Sequence, residues 1–232
     1  MFNRLVGVSA VVIMLSVSGA ALGQTLAYSF EEVVEGGGGP GPDGFFGLGA
    51  VVTQEASIGV THLEHSMRYV AGGAGFVGAR TEIVPASLNN PPGVESVLFD
   101  LYIPEIPDGI SFADIGVTVF GHDLDNGIFG VQCLFNDSIS MTALGTGQHN
   151  DLRIDLDSEF FSGQSFNELF GDDPADLDVA SAFQFHISKS VGASLTIYID
   201  NVRFVVPSPG TVALCGVGAG VLGARRRRAD DR

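Results

Sequence analysis

His62, Glu64 and His65 fall within four residues, two imidazoles three apart with a carboxylate between them. Imidazole and carboxylate together suit zinc hydrolysis. The order here is not H-E-x-x-H, however, and it is one residue short of H-x-x-E-H. Solvated or hydrogen-bonded histidines are the preferred reading, and His122, His149 and His186 are scattered. Gly73, Gly75 and Gly78 fit the spacing G-x-G-x-x-G. Dinucleotide binding needs a helix N-terminus straight after such glycines, facing the pyrophosphate. Arg80-Thr81-Glu82-Ile83-Val84 alternates like a strand instead, so the glycines read as a turn. Two acidic loops, one with Asp123 and Asp125 and one with Asp172, Asp173, Asp176 and Asp178, lack the glycine and ligand spacing of an EF-hand and read as solvated turns. No serine sits in a nucleophile elbow, and Cys133 has no evident activating partner. A carboxylate pair for glycoside hydrolysis depends on proximity in space, so a hydrolase stays open as an alternative. Sugar rings stack on aromatic faces, and the chain has no Trp, four Tyr and 17 Phe. Phe45, Phe46, Phe160 and Phe161, in or beside loops, are the candidate platforms.

Charge narrows the partners. Between the two apolar ends, residues 24–205 hold 25 acidic against five basic side chains, a net charge of −20. Such a surface repels nucleic acid and anionic lipid and attracts cations. Nucleic-acid binding is therefore set aside. Cys133 is the only cysteine of this body, the other being Cys215 in the tail. No internal disulfide can form, and Cys133 reads as a small buried hydrophobe.

The elements that must position these groups are strands. Alternation places Leu26, Tyr28 and Phe30 on one face of a first strand. The run 36–44, with four consecutive glycines and two prolines, reads as a loop. Further strands are expected over 46–53, 66–71, 75–84, 96–103, 115–121, 128–136, 152–156, 180–188 and 194–205. Asn126-Gly127 favours a tight hairpin turn. One helix is expected over 163–170, with Ser165 as N-cap and Glu168 as its capping-box partner. In the last strand Leu195, Ile197 and Ile199 point one way, and Val202 and Phe204 continue one residue out of phase. Keeping both sets in the core requires a bulge near Asp200-Asn201. Short strands, many turns and one helix argue for an all-β antiparallel sandwich.

The ends speak of compartment. Residues 1–23 have the charge of Arg4, an apolar segment and small residues before a cut after Gly23, the pattern of a secretory signal peptide. Residues 206–232 hold Pro207, Ser208 and Pro209, an uncharged run from Thr211 to Ala224, then Arg225, Arg226, Arg227 and Arg228. As a helix that run spans about 21 Å, and the arginines behind it would stay cytoplasmic. This order resembles the PEP-CTERM sorting signal, with Ser208 where the family has glutamate. The resemblance implies recognition by an exosortase-type membrane peptidase, a transient inner-membrane stage, and a final place in the envelope, on the surface or in the extracellular matrix. A plain transmembrane anchor is the alternative.

Tyr28-Ser29-Phe30-Glu31 at the start and Thr196 to Phe204 at the end resemble the two ends of galactose-binding-like jelly-roll domains, common as carbohydrate-binding modules. That resemblance implies a non-catalytic binding module for a glycan or exopolysaccharide, with a structural matrix component as the alternative. It also implies a structural calcium ion between the first and last strands, held by Glu31 and Asp200.

Overall fold

In the computed structural model the body is a two-layer β-sandwich, with residues 23–36, 38–88, 93–170 and 176–206 described. Thirteen strands follow in order: β1 (Gly23–Tyr28), β2 (Val33–Gly36), β3 (Gly39–Pro42), β4 (Phe46–Leu48), β5 (Ala50–Glu55), β6 (Ser66–Ala71), β7 (Phe76–Thr81), β8 (Ser96–Ile103), β9 (Ala113–Asp123), β10 (Ile128–Ser140), β11 (Gly147–Asp155), β12 (Val179–Lys189) and β13 (Leu195–Val206). One sheet runs β11-β8-β13-β6-β5, with β1 also paired to β13; the other runs β10-β9-β12-β7-β4. All recorded pairings are antiparallel.

Alternation explains which side chains fill the space between the layers. Phe183, Phe185 and Ile187 of β12, Ile115, Val117 and Val119 of β9, and Val97, Phe99 and Leu101 of β8 are all buried. Phe45, Phe183 and Phe204 each meet Tyr28 within about 6 Å, and Phe99 meets Phe185 edge to face at 5.2 Å. Aromatic pairs in this arrangement add modestly to the area they bury.

Most expected strands stand where alternation put them, β6 and β8 to the residue. The bulge in the last strand is there too. Register against β8 shifts between Asp200 and Arg203, Asn201 takes a left-handed φ of 52°, and Ile199, Val202 and Phe204 are all buried. The expected helix is the short α2 (Phe166–Leu169), closed by the capping box of Ser165 and Glu168.

Four expectations are corrected. Residues 36–44 are not all loop, because β2 and β3 pair as a two-stranded ribbon, Val33 with Pro42 and Glu35 with Pro40. The two prolines are two apart and so share one side of β3, leaving Gly39 and Gly41 to carry the pairing. Phe30 is core but not strand: at φ 60° it turns the chain inward, while the amides of Ser29 and Phe30 donate to Asp43 Oδ2. The expected strand 46–53 is two, since Gly49 at φ 72° passes the chain from the five-stranded sheet into the six-stranded one. A second one-turn helix, α1 (Met141–Leu144), follows β10 without a side-chain cap to announce it.

The leader residues 1–22 and the tail from Pro207 onward, including Ser208, Pro209 and Arg225 to Arg228, lie outside the described residues, as does the span expected for the membrane helix. Among the described residues no helix is long and apolar enough to cross a membrane. Gly23, placed last in the leader, pairs with Val206, placed first in the tail, so both residues belong to strands of the body.

Candidate functional site

The residues turned away from the core on the five-stranded sheet form two cross-strand rows. Register aligns Phe46 of β4, Arg80 of β7, Gln184 of β12, Thr118 of β9 and Leu134 of β10 in one row. The next holds Leu48, Gly78, His186, Gly116 and Ser138. Both glycines flank His186, and their missing side chains let two larger ones lie down. A Cβ on Gly78 would stand 2.7 Å from the Gln184 amide carbon, and one on Gly116 would stand 2.5 Å from His186 Nε2. Real side chains almost never approach so closely, so Gln184 covers Gly78 and His186 covers Gly116.

Neighbours fix both side chains. His186 Nδ1 is hydrogen-bonded to Thr118 Oγ1 at 3.0 Å. The ring of Phe76 stacks on the imidazole at 5.2 Å and 25°, and Phe76 is 50 % exposed. Burial disfavours the charged imidazole and lowers its pKa to about 4, so His186 is neutral near pH 7. Arg80 lays its guanidinium 4.2 Å from the centroid of Phe120, a cation–π contact. The residue between them on β12 is the small Ala182.

Two polar atoms of this face have no partner. Gln184 is 3 % exposed, and among the described residues its Oε1 meets no hydrogen-bond donor and the buried Nε of Arg80 meets no acceptor. A buried polar group without a partner costs roughly 1–3 kcal/mol. Here an acceptor and a donor stand on adjacent strands of one row, and the ring of Phe76, open to solvent, covers His186 of the next. Both atoms are shielded from solvent as placed, and a hydroxyl, which both donates and accepts, would satisfy both kinds of atom once the two side chains turn outward.

A cleft of about 400 Å³ beside β1 is lined by Leu26, Tyr28, Val34, Asp43 and Ile83 among others. Its inner polar groups are already paired. Tyr28 donates to the Ile83 carbonyl at 3.0 Å, and Asp43 accepts the amides of Ser29 and Phe30.

The acids and the histidine run singled out from the sequence lie elsewhere. Asp200 and Asp100 face each other across β13 and β8, 0 % and 4 % exposed. Residues 56–65 cross over them. Asp200 Oδ2 accepts the amides of Thr61 and His62 at 2.6 and 2.7 Å, and Oδ1 accepts Asn201 N. Thr61 Oγ1 donates to Asp100 Oδ2. Glu31 Oε1 accepts the amides of Glu64 and His65, and Oε2 pairs with His65 Nδ1 at 2.9 Å. Glu31 and Asp200 thus hold two ends of one strap, and N–H donors crowd their oxygens. A cation joining them would have to displace those donors, so the pair as placed does not fit calcium. Among the described residues no group of three or more His, Cys, Asp or Glu could hold a metal ion. The His62–His65 run supplies part of this strap.

Of the aromatic platforms read from the sequence, Phe45 is fully buried and belongs to the core. Phe46 ends the Arg80–Gln184 row, and Phe160 and Phe161 are open to solvent. Phe76, Arg80, Gln184 and His186 escaped sequence reasoning. Their available signals were glycines inside strands, which mark close approach, and polar residues interleaved among Phe183, Phe185 and Ile187. Gly73 and Gly75 stand between β6 and β7, with Gly78 inside β7, the turn and strand that alternation implied rather than a nucleotide loop. Cys133 is buried, and burial pushes its thiol up to about 12.

Neither a family model nor a curated protein matches the chain. Solved structures with similar shape include carbohydrate-binding modules. A family 11 module from Clostridium thermocellum, in complex with a β-1,3-1,4-mixed-linked tetrasaccharide, has 16% identity and a TM-score of 0.49, covering 81% of this chain and 98% of that one. A xylan-binding domain of family 22 from Paenibacillus barcinonensis has 15% identity and a TM-score of 0.45, covering 82% of this chain and all of that one. A third, from a study of carbohydrate-binding modules of the β-sandwich superfamily, has 17% identity and a TM-score of 0.46 over 80% of this chain. This chain covers only 63% of that one.

Proposed function

We propose that the outer face of the five-stranded sheet binds a neutral polysaccharide without acting on it. The observation that carries this is the pair on one row, Gln184 Oε1 and Arg80 Nε, without a partner among the described residues, next to the row where the exposed ring of Phe76 stacks on His186. Sugars present an apolar C–H face to such a ring, and their hydroxyls would satisfy such atoms once the two side chains turn outward. The charge of the body, −20, repels acidic glycans and leaves neutral ones. Xylan and mixed-linkage β-glucan are suitable first probes within a neutral glycan array, with an acidic polymer as control. Submillimolar binding that Gln184→Ala weakens supports the reading. Silence across the array favours a structural matrix component, and release of shorter sugars would make the protein a hydrolase.

The place of action is also proposed. A leader at the front and a Pro-Ser-Pro, apolar and arginine order at the back support export, a passing stage in the inner membrane, processing by an exosortase-type peptidase, and display in the envelope or matrix.

A further inference from the structure

The outer face of the five-stranded sheet continues past its edge strand. Beyond β10 a short segment pairs in antiparallel fashion, Phe135 with Glu159. The amide of Asn136 donates to Ser158 O at 2.8 Å, and that of Phe160 donates to Leu134 O at 2.7 Å. Neighbours along extended backbone point to opposite faces. Phe135 and Glu159, both 3 % exposed, take the inner side. Leu134 therefore takes the outer side, and Phe160, set opposite it by its amide hydrogen bond at the start of the turn and open to solvent, extends the row Phe46, Arg80, Gln184, Thr118, Leu134. It is 61 % exposed and Phe161 is 79 % exposed, their rings edge to face at 5.1 Å and 87°.

This turn is built to hold its rings still. The buried Glu159 carboxylate accepts the amides of Phe161 and Ser162 and the hydroxyl of Ser162 through Oε2, and the amide of Leu134 through Oε1. The Glu159 backbone closes the loop, its amide donating to Gln164 O and its carbonyl accepting from Gly163 N. A buried carboxyl group thus serves to fix a turn that displays two large apolar rings.

We infer that the Phe160–Phe161 turn is an outlying stacking subsite for one polysaccharide chain lying across the strands, an inference that rests on the proposed glycan-binding role of this face. From Phe46 to Phe160 there are five interstrand steps, roughly 24 Å at about 4.8 Å each. A single sugar at Gln184 does not reach the turn; an oligosaccharide does. Continuity of the row selects the same glycan as the occupant over a separate protein partner.

The test is a length series: xylan, mixed-linkage β-glucan and their oligosaccharides from dimer to hexamer, titrated into the purified full chain by calorimetry. The variants are Phe160→Ala with Phe161→Ala, Phe160→Tyr with Phe161→Tyr, and Gln184→Ala. The double alanine variant should bind hexamer and polymer roughly three- to tenfold more weakly, the worth of an aromatic contact, and dimer unchanged. The tyrosine variant should keep long-chain affinity, and Gln184→Ala should weaken every length. If the double alanine variant binds all lengths like the parent while Gln184→Ala fails, the subsite is wrong and the face still binds glycan. If the parent binds none of the probes, the reading of the face and the subsite fall together.

Discussion

His186 lies flat on Gly116, so that a Cβ at residue 116 would come within 2.5 Å of Nε2. The obstacle would meet a ring already fixed by Thr118 and by the stack of Phe76. Gly116→Ala should therefore lift the imidazole off the sheet and disturb Phe76 with it. Overpacking of this kind costs about 1–3 kcal/mol, which at this size is a fall of roughly 2–4 °C in melting temperature per kcal/mol. Glycan affinity should fall more than stability does. An Ala variant that melts and binds like the parent would show that His186 has room to move.

His186 also sets a pH dependence. Burial holds its pKa at about 4, below the unfolded value near 6.5. Between these values the unfolded chain binds a proton that the folded chain does not, so stability rises with pH across that window and is lost on acidification. The size is about 3 kcal/mol at 1.36 kcal/mol per unit. Asp200, whose pKa burial raises, acts in the opposite sense, its share being lost as pH rises, and it is present in both proteins compared. Melting curves of the parent and His186→Gln from about pH 4 to 7 should converge at the acid end. Parallel curves would mean that the imidazole titrates normally.

What the sequence made legible follows from local rules. The capping box of Ser165 and Glu168 needs only a three-residue spacing, and it forms as read. The bulge at Asp200-Asn201 was forced by apolar residues changing parity within one strand, and it too is present. The face around Gln184 was not legible, because it depends on register. Nothing local to Gly78 or Gly116 says that Gln184 and His186 will lie across them, since each pair joins strands distant in the chain. Phe45 and Phe46 show the same limit. Adjacent in a glycine-rich stretch, they differ only in side, one in the core and one on the outer row.

Processing has its own test. If the tail is a sorting signal, mass spectrometry of surface material should find a C-terminus near Pro207 to Gly210 and no Arg225 to Arg228. Replacing the four arginines with alanine should retain the precursor or misorient it, because the charge that fixes topology is gone. An intact tail at the final location would leave a plain anchor.

Asp200 tests what the strap of residues 56–65 is for. Its carboxylate carries the amides of Thr61 and His62, and Asp100 beneath it carries the Thr61 hydroxyl. Asp200→Ala leaves two strap amides without their acceptor, at about 1–3 kcal/mol for each that stays buried. Hydrogen exchange at Thr61 and His62 should quicken, and the melting temperature should fall by several degrees. The same protein decides on calcium. N–H donors already surround Asp200 and Glu31, so the parent should melt at one temperature in calcium and in chelator. An ion held at 100 times its dissociation constant adds about 2.7 kcal/mol. A calcium-dependent rise of several degrees, absent in Asp200→Asn, would show that the strap gives way and that the first and last strands are joined by metal.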